Sequence, residues 1–259
     1  VIIVVDDVPA FFATGGQDHA AGQPAVVFIH GAGLDHSVWA LHSRWFAHHG
    51  RNVLAVDLPG HGRSGGAPLT SIGAMADWIA RLLAAVGVAQ AAFVGHSMGS
   101  LVALEAARWY QVRALGLIGT TLAMPVHADL LAAAAANRHE AIEMLSIWGH
   151  GFAAGLGGSR APGLWMTGGA ERLLERAAPG VLHADLAACN AWRDGPAAAA
   201  AVTCPTVIVQ GSRDIMTPLR AAKAAAAAIA GARLTVLDGA GHMLMAERPD
   251  EVLAALSTL

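Results

Sequence analysis

Charge is scarce in this chain. Only 14% of its 259 residues are Asp, Glu, Lys or Arg, and the net charge is −3. The 16 basic residues are scattered and form no dense run. Nucleic acid is held by clustered Lys and Arg, so a nucleic-acid partner is not expected. Cysteine is scarcer still: Cys189 and Cys204 are the only two, and neither lies in a C-x-x-C pair. A small secreted protein built on disulfides would carry more, so both are read as ordinary thiols and a reducing cytoplasm as the location. Long apolar runs are also missing. Mean hydropathy is high at +0.49, but much of it comes from alanine at 132–136, 197–201 and 224–228. A membrane span needs about 20 mostly apolar residues, and the run near residue 225 has Arg220 and Lys223 beside it. These runs are read as helix formers, and no span is expected. No secretory leader pattern, internal repeat or linker-like stretch is visible.

What is present is an alternation. Short apolar runs at 1–5, 11–14, 26–29, 53–56, 92–94, 115–118, 206–209 and 234–237 read as strands. The last six are the kind of run that a parallel strand buried on both faces would show. Helical patterns follow at 39–48, 72–86, 98–110, 219–229 and 251–256. The alternation predicts βαβ units, an α/β fold with a mostly parallel sheet and helices on both faces. One connection is too long. Roughly 85 residues separate Ile118 from Thr206, whereas a crossover needs only about a dozen or more. Helices are expected inside it at 130–137, 139–148, 169–177 and 182–192, with a Gly-rich turn at 155–158, forming an insertion over one end of the sheet.

Chemistry gathers at the strand ends. Gly95-His96-Ser97-Met98-Gly99 lies between a strand and a helix. This is the G-x-S-x-G elbow, in which a tight turn lifts a nucleophilic serine, here Ser97, above the sheet. His30-Gly31-Ala32-Gly33 follows an earlier strand. Its backbone N–H at Ala32, or failing that Gly33, would face that of Met98 and form an oxyanion hole. His30 is read as structural. Of 13 histidines, His242 stands in Gly239-Ala240-Gly241-His242 after the last strand, at the same sheet edge as Ser97, where sites in open α/β sheets form. Asp214 ends Gly211-Ser212-Arg213-Asp214 after its own strand. We assign it as the acid partner of His242, with Asp238 as rival. His48-His49 lacks a ligand set, so no metal and no cofactor is expected. Leu34, Trp39, Met98, Met124, Trp148, Trp165 and Met243 are the candidates for an apolar pocket wall.

With these motifs in this order, and with Asp57-Leu58-Pro59-Gly60-His61-Gly62-Arg63-Ser64 read as a structural turn, the chain resembles the α/β-hydrolase superfamily. It is most similar to small esterase, lactonase and cofactor-free haloperoxidase-like members. The resemblance implies an α/β-hydrolase core at 1–121 and 203–259 and a helical cap at 122–202. It also implies a Ser97–His242–Asp214 triad in the chain order of this fold, acting on a small apolar ester or lactone through an acyl-enzyme. A C–C bond hydrolase, a perhydrolase and a small-molecule receptor with an intact triad remain as alternatives. Ser97 argues against dehalogenases and epoxide hydrolases, which use an aspartate at the elbow. The oligomeric state stays open.

Overall fold

The computed structural model describes residues 1–159 and 165–259. An eight-stranded sheet runs in the order β1 (Ile2–Val5), β2 (Val8–Ala13), β4 (Asn52–Val56), β3 (Ala25–Ile29), β5 (Ala91–His96), β6 (Val112–Ile118), β7 (Thr206–Gly211), β8 (Arg233–Leu237). β1 and β2 are antiparallel additions; every pairing from β4 to β8 is parallel. Successive side chains in a strand point to opposite faces, and here both faces are covered. Val27, Ile29, Leu54, Phe93 and Leu117 face one core with α2 (Ile72–Ala85) and α3 (Met98–Ala106). Val26, Phe28, Val53, Val94 and Val209 face the other, with α1 (Ala40–His48) and α12 (Pro249–Leu256). That two-sided burial is why the strands read as unbroken apolar runs. β8 departs from the expectation. It is the sheet edge, and only Leu237 of its five residues is buried.

Helix α2 shows the local logic. Ser71 caps it by accepting from the Ala74 N–H at 3.1 Å. Ile72, Met75, Ile79, Leu82 and Leu83 then recur at helical spacing and are buried against the sheet. Between β6 and β7 lie α4 (Ala128–Ala135), α5 (Glu140–Gly149), α6 (Phe152–Gly155), α7 (Met166–Leu174), α8 (Val181–Ala191) and α9 (Gly195–Ala201). Leu130, Ala133 and Ala134 of α4, Ala141 of α5 and Leu186 of α8 form a small core of their own. α6 and α11 (Leu244–Glu247) were not anticipated; at four residues each they show no full amphipathic repeat, whereas α9 forms on the alanine run 197–201 read as a helix former. α10 (Leu219–Ala228) returns the chain from β7 to β8. Among the described residues, no helix is long and apolar enough to cross a membrane.

Candidate active site

The strand-to-helix joint between β5 and α3 consists of one residue. Ser97 has φ +53° and ψ −120°, a left-handed backbone that side-chain-bearing residues rarely adopt. Its surroundings hold it there. The Ser97 N–H donates to the Ile118 carbonyl at 2.9 Å, and Ser100 Oγ donates to the Ser97 carbonyl at 2.6 Å. A Cβ on Gly95 would run into the Gly99 carbonyl, and one on Gly99 into the Ile29 carbonyl. Glycine is therefore required on both sides by contact.

The loop after β3 lies against this joint. A Cβ on Gly31 would sit 3.3 Å from Ser97 Cβ. The Leu34 N–H donates to the Gly31 carbonyl at 3.2 Å, which closes the loop into a turn. The Gly33 N–H is committed to Asp185 Oδ2 at 2.8 Å. Of the two loop donors considered from the sequence, Gly33 is therefore the one already engaged. His30 is buried; its Nδ1 donates to the Gly31 carbonyl at 2.9 Å and its Nε2 accepts from the Leu58 N–H at 3.2 Å. Burial lowers its pKa to about 4, with the nearby His61 adding to the effect. It is a neutral brace between two loops.

His242 and Asp214 meet from adjacent strand ends. His242 Nδ1 lies 2.7 Å from Asp214 Oδ2. Asp214 is held from every side: Thr217 Oγ1 and Gln210 Nε2 donate to Oδ2 at 2.7 and 2.8 Å, and the Met216 and Thr217 N–H groups donate to Oδ1 at 2.9 and 2.8 Å. Burial opposes the charge, but the His242 charge and the bonds from His242 and Thr217 outweigh it and hold the carboxyl at about 2. Asp238 is engaged elsewhere, accepting from Ser212 Oγ at 2.9 Å. The other His242 nitrogen, Nε2, is buried and has no hydrogen-bond partner among the described residues, Ser97 Oγ included. The contact with the Asp214 carboxylate oxygen puts a proton on Nδ1.

Several residues that shape this geometry were not singled out in the sequence. The His96 ring lies 4.8 Å from the His242 ring, and its Nε2 donates to the His242 carbonyl at 3.0 Å. Burial, aided by the neighbouring His242, lowers its pKa to about 3, so it braces the loop as a neutral group. Gly119, with φ +58°, leaves room for the imidazole: a Cβ there would approach His242 Cε1 to 2.9 Å. Thr217 and Gln210 were also missed. The G-x-S-x-G pattern does contain His96, but nothing in a pattern shows which way its ring points.

A cavity of about 310 Å³ opens over Ser97 and His242. Leu34, Met124, Trp148 and Met243 line it together with Ala32. Three of the expected wall residues do not. Trp39 is fully buried in the opposite core, its ring 5.2 Å from that of Phe28. Trp165 is 67% exposed and lies outside the cavity. Met98, fully buried at the head of α3, does not line the cavity either. Leu130, Leu145, Leu174 and Leu186 of the insertion supply wall the sequence did not single out. Both cysteines are free thiols, and Cys189 also borders the cavity. Away from it, Asp35, His36 and Asp57 come close enough to share an ion among the described residues. Their carboxylates are already used: Asp57 accepts from the His36 N–H, His36 Nδ1 and the Arg63 N–H, and Asp35 from Ser37.

Residues 26–255 match the profile of the alpha/beta hydrolase family. The chain belongs to that family. Among curated relatives of this hydrolase is the Klebsiella pneumoniae protein named "Putative carbamate hydrolase RutD", 27% identical over 241 residues, covering 85% of each chain. Among solved structures, the enol-lactonase from Burkholderia xenovorans LB400 superposes with a TM-score of 0.87 at 21% identity, over 100% of this chain and 98% of that one. The esterase EaEST from Exiguobacterium antarcticum gives 0.84 at 19% identity, over 99% and 97%. These two likenesses establish the shared fold. The protein is a hydrolytic enzyme.

Proposed function

We propose that this hydrolase cleaves a small, neutral carboxylic ester or lactone through an acyl-enzyme on Ser97. The observation that carries the reading is the buried, unpartnered Nε2 of His242, on the cavity that also holds Ser97, with Nδ1 tied to a carboxylate held at about 2. In this reading Nε2 takes the proton of Ser97 Oγ as the oxygen attacks the substrate carbonyl. Asp214 keeps the imidazole in the required tautomer and stabilises its cation. The N–H groups of Ala32 and Met98 receive the negative oxygen of the tetrahedral intermediate. The imidazolium returns its proton to the leaving alkoxide. Water then attacks the acyl-enzyme with His242 as base, releasing the acid and restoring Ser97. Hydrogen bonds of this kind often tighten only when substrate is bound, so an open Ser97–His242 contact fits the mechanism.

The segment 122–202 acts in this proposal as a cap, because its helices furnish much of the apolar wall. The substrate is read as neutral from the wall chemistry. No Arg or Lys lines the cavity among the described residues, so a substrate carboxylate would find no cation to replace its water. The test is a panel of activated esters. Neutral short and medium acyl chains are expected to turn over, and a monoester of a dicarboxylic acid of equal length to be at least ~10-fold poorer in kcat/KM, since burying an unpaired charge costs more than about 1.4 kcal/mol. Equal or better turnover of the charged ester would overturn the substrate class.

A further inference from the structure

The insertion reaches into the catalytic machinery through one buried carboxylate. Asp185 lies on α8 and is fully buried. Its Oδ2 accepts two bonds at 2.8 Å each, one from the Gly33 N–H and one from His61 Nε2. The other His61 nitrogen, Nδ1, lies 3.0 Å from the Pro59 carbonyl. A carboxylate oxygen and a carbonyl oxygen only accept, so both ring nitrogens of His61 must donate. His61 is therefore an imidazolium, and the contact is a buried ion pair.

The groups around the pair support that charge state. Asp185 faces His61 from the insertion and Asp57 from the end of β4, while the neutral His30 ring lies 4.7 Å away at the end of β3. Burial disfavours the imidazolium, but the charge and hydrogen bond of Asp185, then Pro59 and Asp57, raise its pKa overall. The pair thus joins three chain segments: α8, the turn after β4, and the turn after β3. Gly33, where the third is gripped, directly follows Ala32. Leu182 of α8 and Leu174 of α7 pack on the same glycine, within 3.1 Å of where its Cβ would be.

We propose that Asp185, paired with His61, is a positioning residue for the oxyanion loop, so that the insertion takes part in the chemical step as well as in substrate choice. The proposal rests on the serine-hydrolase reading above, because it assigns the Ala32 N–H to the oxyanion. Without the carboxylate, the Gly33 N–H loses its anchor and the neighbouring Ala32 N–H loses its aim. Donors of this kind act by being preorganised, and deleting one outright costs about 10²–10³ in kcat. Loosening one is expected to cost about 10- to 100-fold.

The sign of the pH effect follows from the raised pKa. The pair is complete below the ordinary histidine value of 6.5 and is lost as pH rises through the higher value that His61 has in the fold. The experiment measures kcat, KM and inhibition by a trifluoromethyl ketone, whose hemiketal oxyanion on Ser97 needs the same donors. For Asp185→Asn, kcat should fall about 10- to 100-fold with KM within about threefold, and inhibitor affinity should fall in proportion to kcat/KM. In His61→Gln, the part of the alkaline fall in wild-type kcat that belongs to His61 should vanish, a readout independent of how well Asp185→Asn folds. Ser97→Ala separates the two layers. Persistent turnover there would sink the serine-hydrolase reading itself. Loss of turnover in Ser97→Ala, with kcat and inhibitor affinity of Asp185→Asn within about twofold of wild type, or with an unchanged alkaline limb in His61→Gln, would overturn the positioning role alone.

Discussion

Two aspartates stand at strand ends beside the His242 loop, and one of them reaches the ring. Asp214 is separated from its strand by a turn that lets the carboxylate cross to Nδ1, while Asp238 is bound to Ser212 at the start of the loop that leads to the histidine. Asn at the acid position preserves shape but favours the wrong imidazole tautomer, which costs about 10⁴ in kcat in a protease triad. Asp214→Asn is expected to lose at least ~10² in kcat on an activated ester, and Asp238→Asn less than ~10-fold, with both proteins folded. The reverse order would move the acid to Asp238. Position along the chain was enough to nominate these residues, since each ends a predicted strand at one sheet edge. It was not enough to nominate Thr217 and Gln210, whose contribution is the direction of a hydroxyl and an amide toward Oδ2.

At the scale of elements, the parallel strands were legible because burial on both faces leaves no polar position in β3 or most of β4. The elbow was legible for the same kind of reason, a steric one. Replacing Gly95 by Val places a branched side chain where the Gly99 carbonyl now stands, at a cost on the order of 3 kcal/mol or more. Thermal unfolding of Gly95→Val should show a clear drop in Tm together with lost activity. An unchanged Tm and full turnover would mean that the joint is not a strained elbow. Wall residues were harder to read. Met and Trp occur both in cores and in pockets, and their direction depends on how an element is rotated about its axis. Trp39 ends the 3-10 turn His36–Trp39 and turns inward onto Phe28. Trp165, just before α7, turns outward, and Trp148 near the end of α5 meets the cavity. The three residues look alike in a sequence and have three different surroundings.

At the scale of the molecule, the insertion is fastened to the core both at the loop that carries His242 and at the turn after β3. The Gly149 carbonyl at the end of α5 accepts from the N–H groups of His242 and Met243, each at 2.8 Å. Glu247 accepts from Gly241 on the histidine loop and from Gly151 of the insertion. Asp185 makes the matching contact at the turn after β3, through the Gly33 N–H. The length of the β6–β7 connection announced an insertion, and the sequence suggested its helices. These cross-links were not legible, because they join residues about 90 to 150 positions apart through backbone groups that no side-chain pattern records. In the proposed mechanism this whole assembly serves Ser97 as nucleophile. The most direct measurement is intact mass and peptide mapping after treatment with a fluorophosphonate. A single adduct on Ser97, formed in step with loss of esterase activity and absent in Ser97→Ala, is the expected result. An adduct elsewhere, or a Ser97→Ala protein that still turns over the ester at the wild-type rate, would contradict the account.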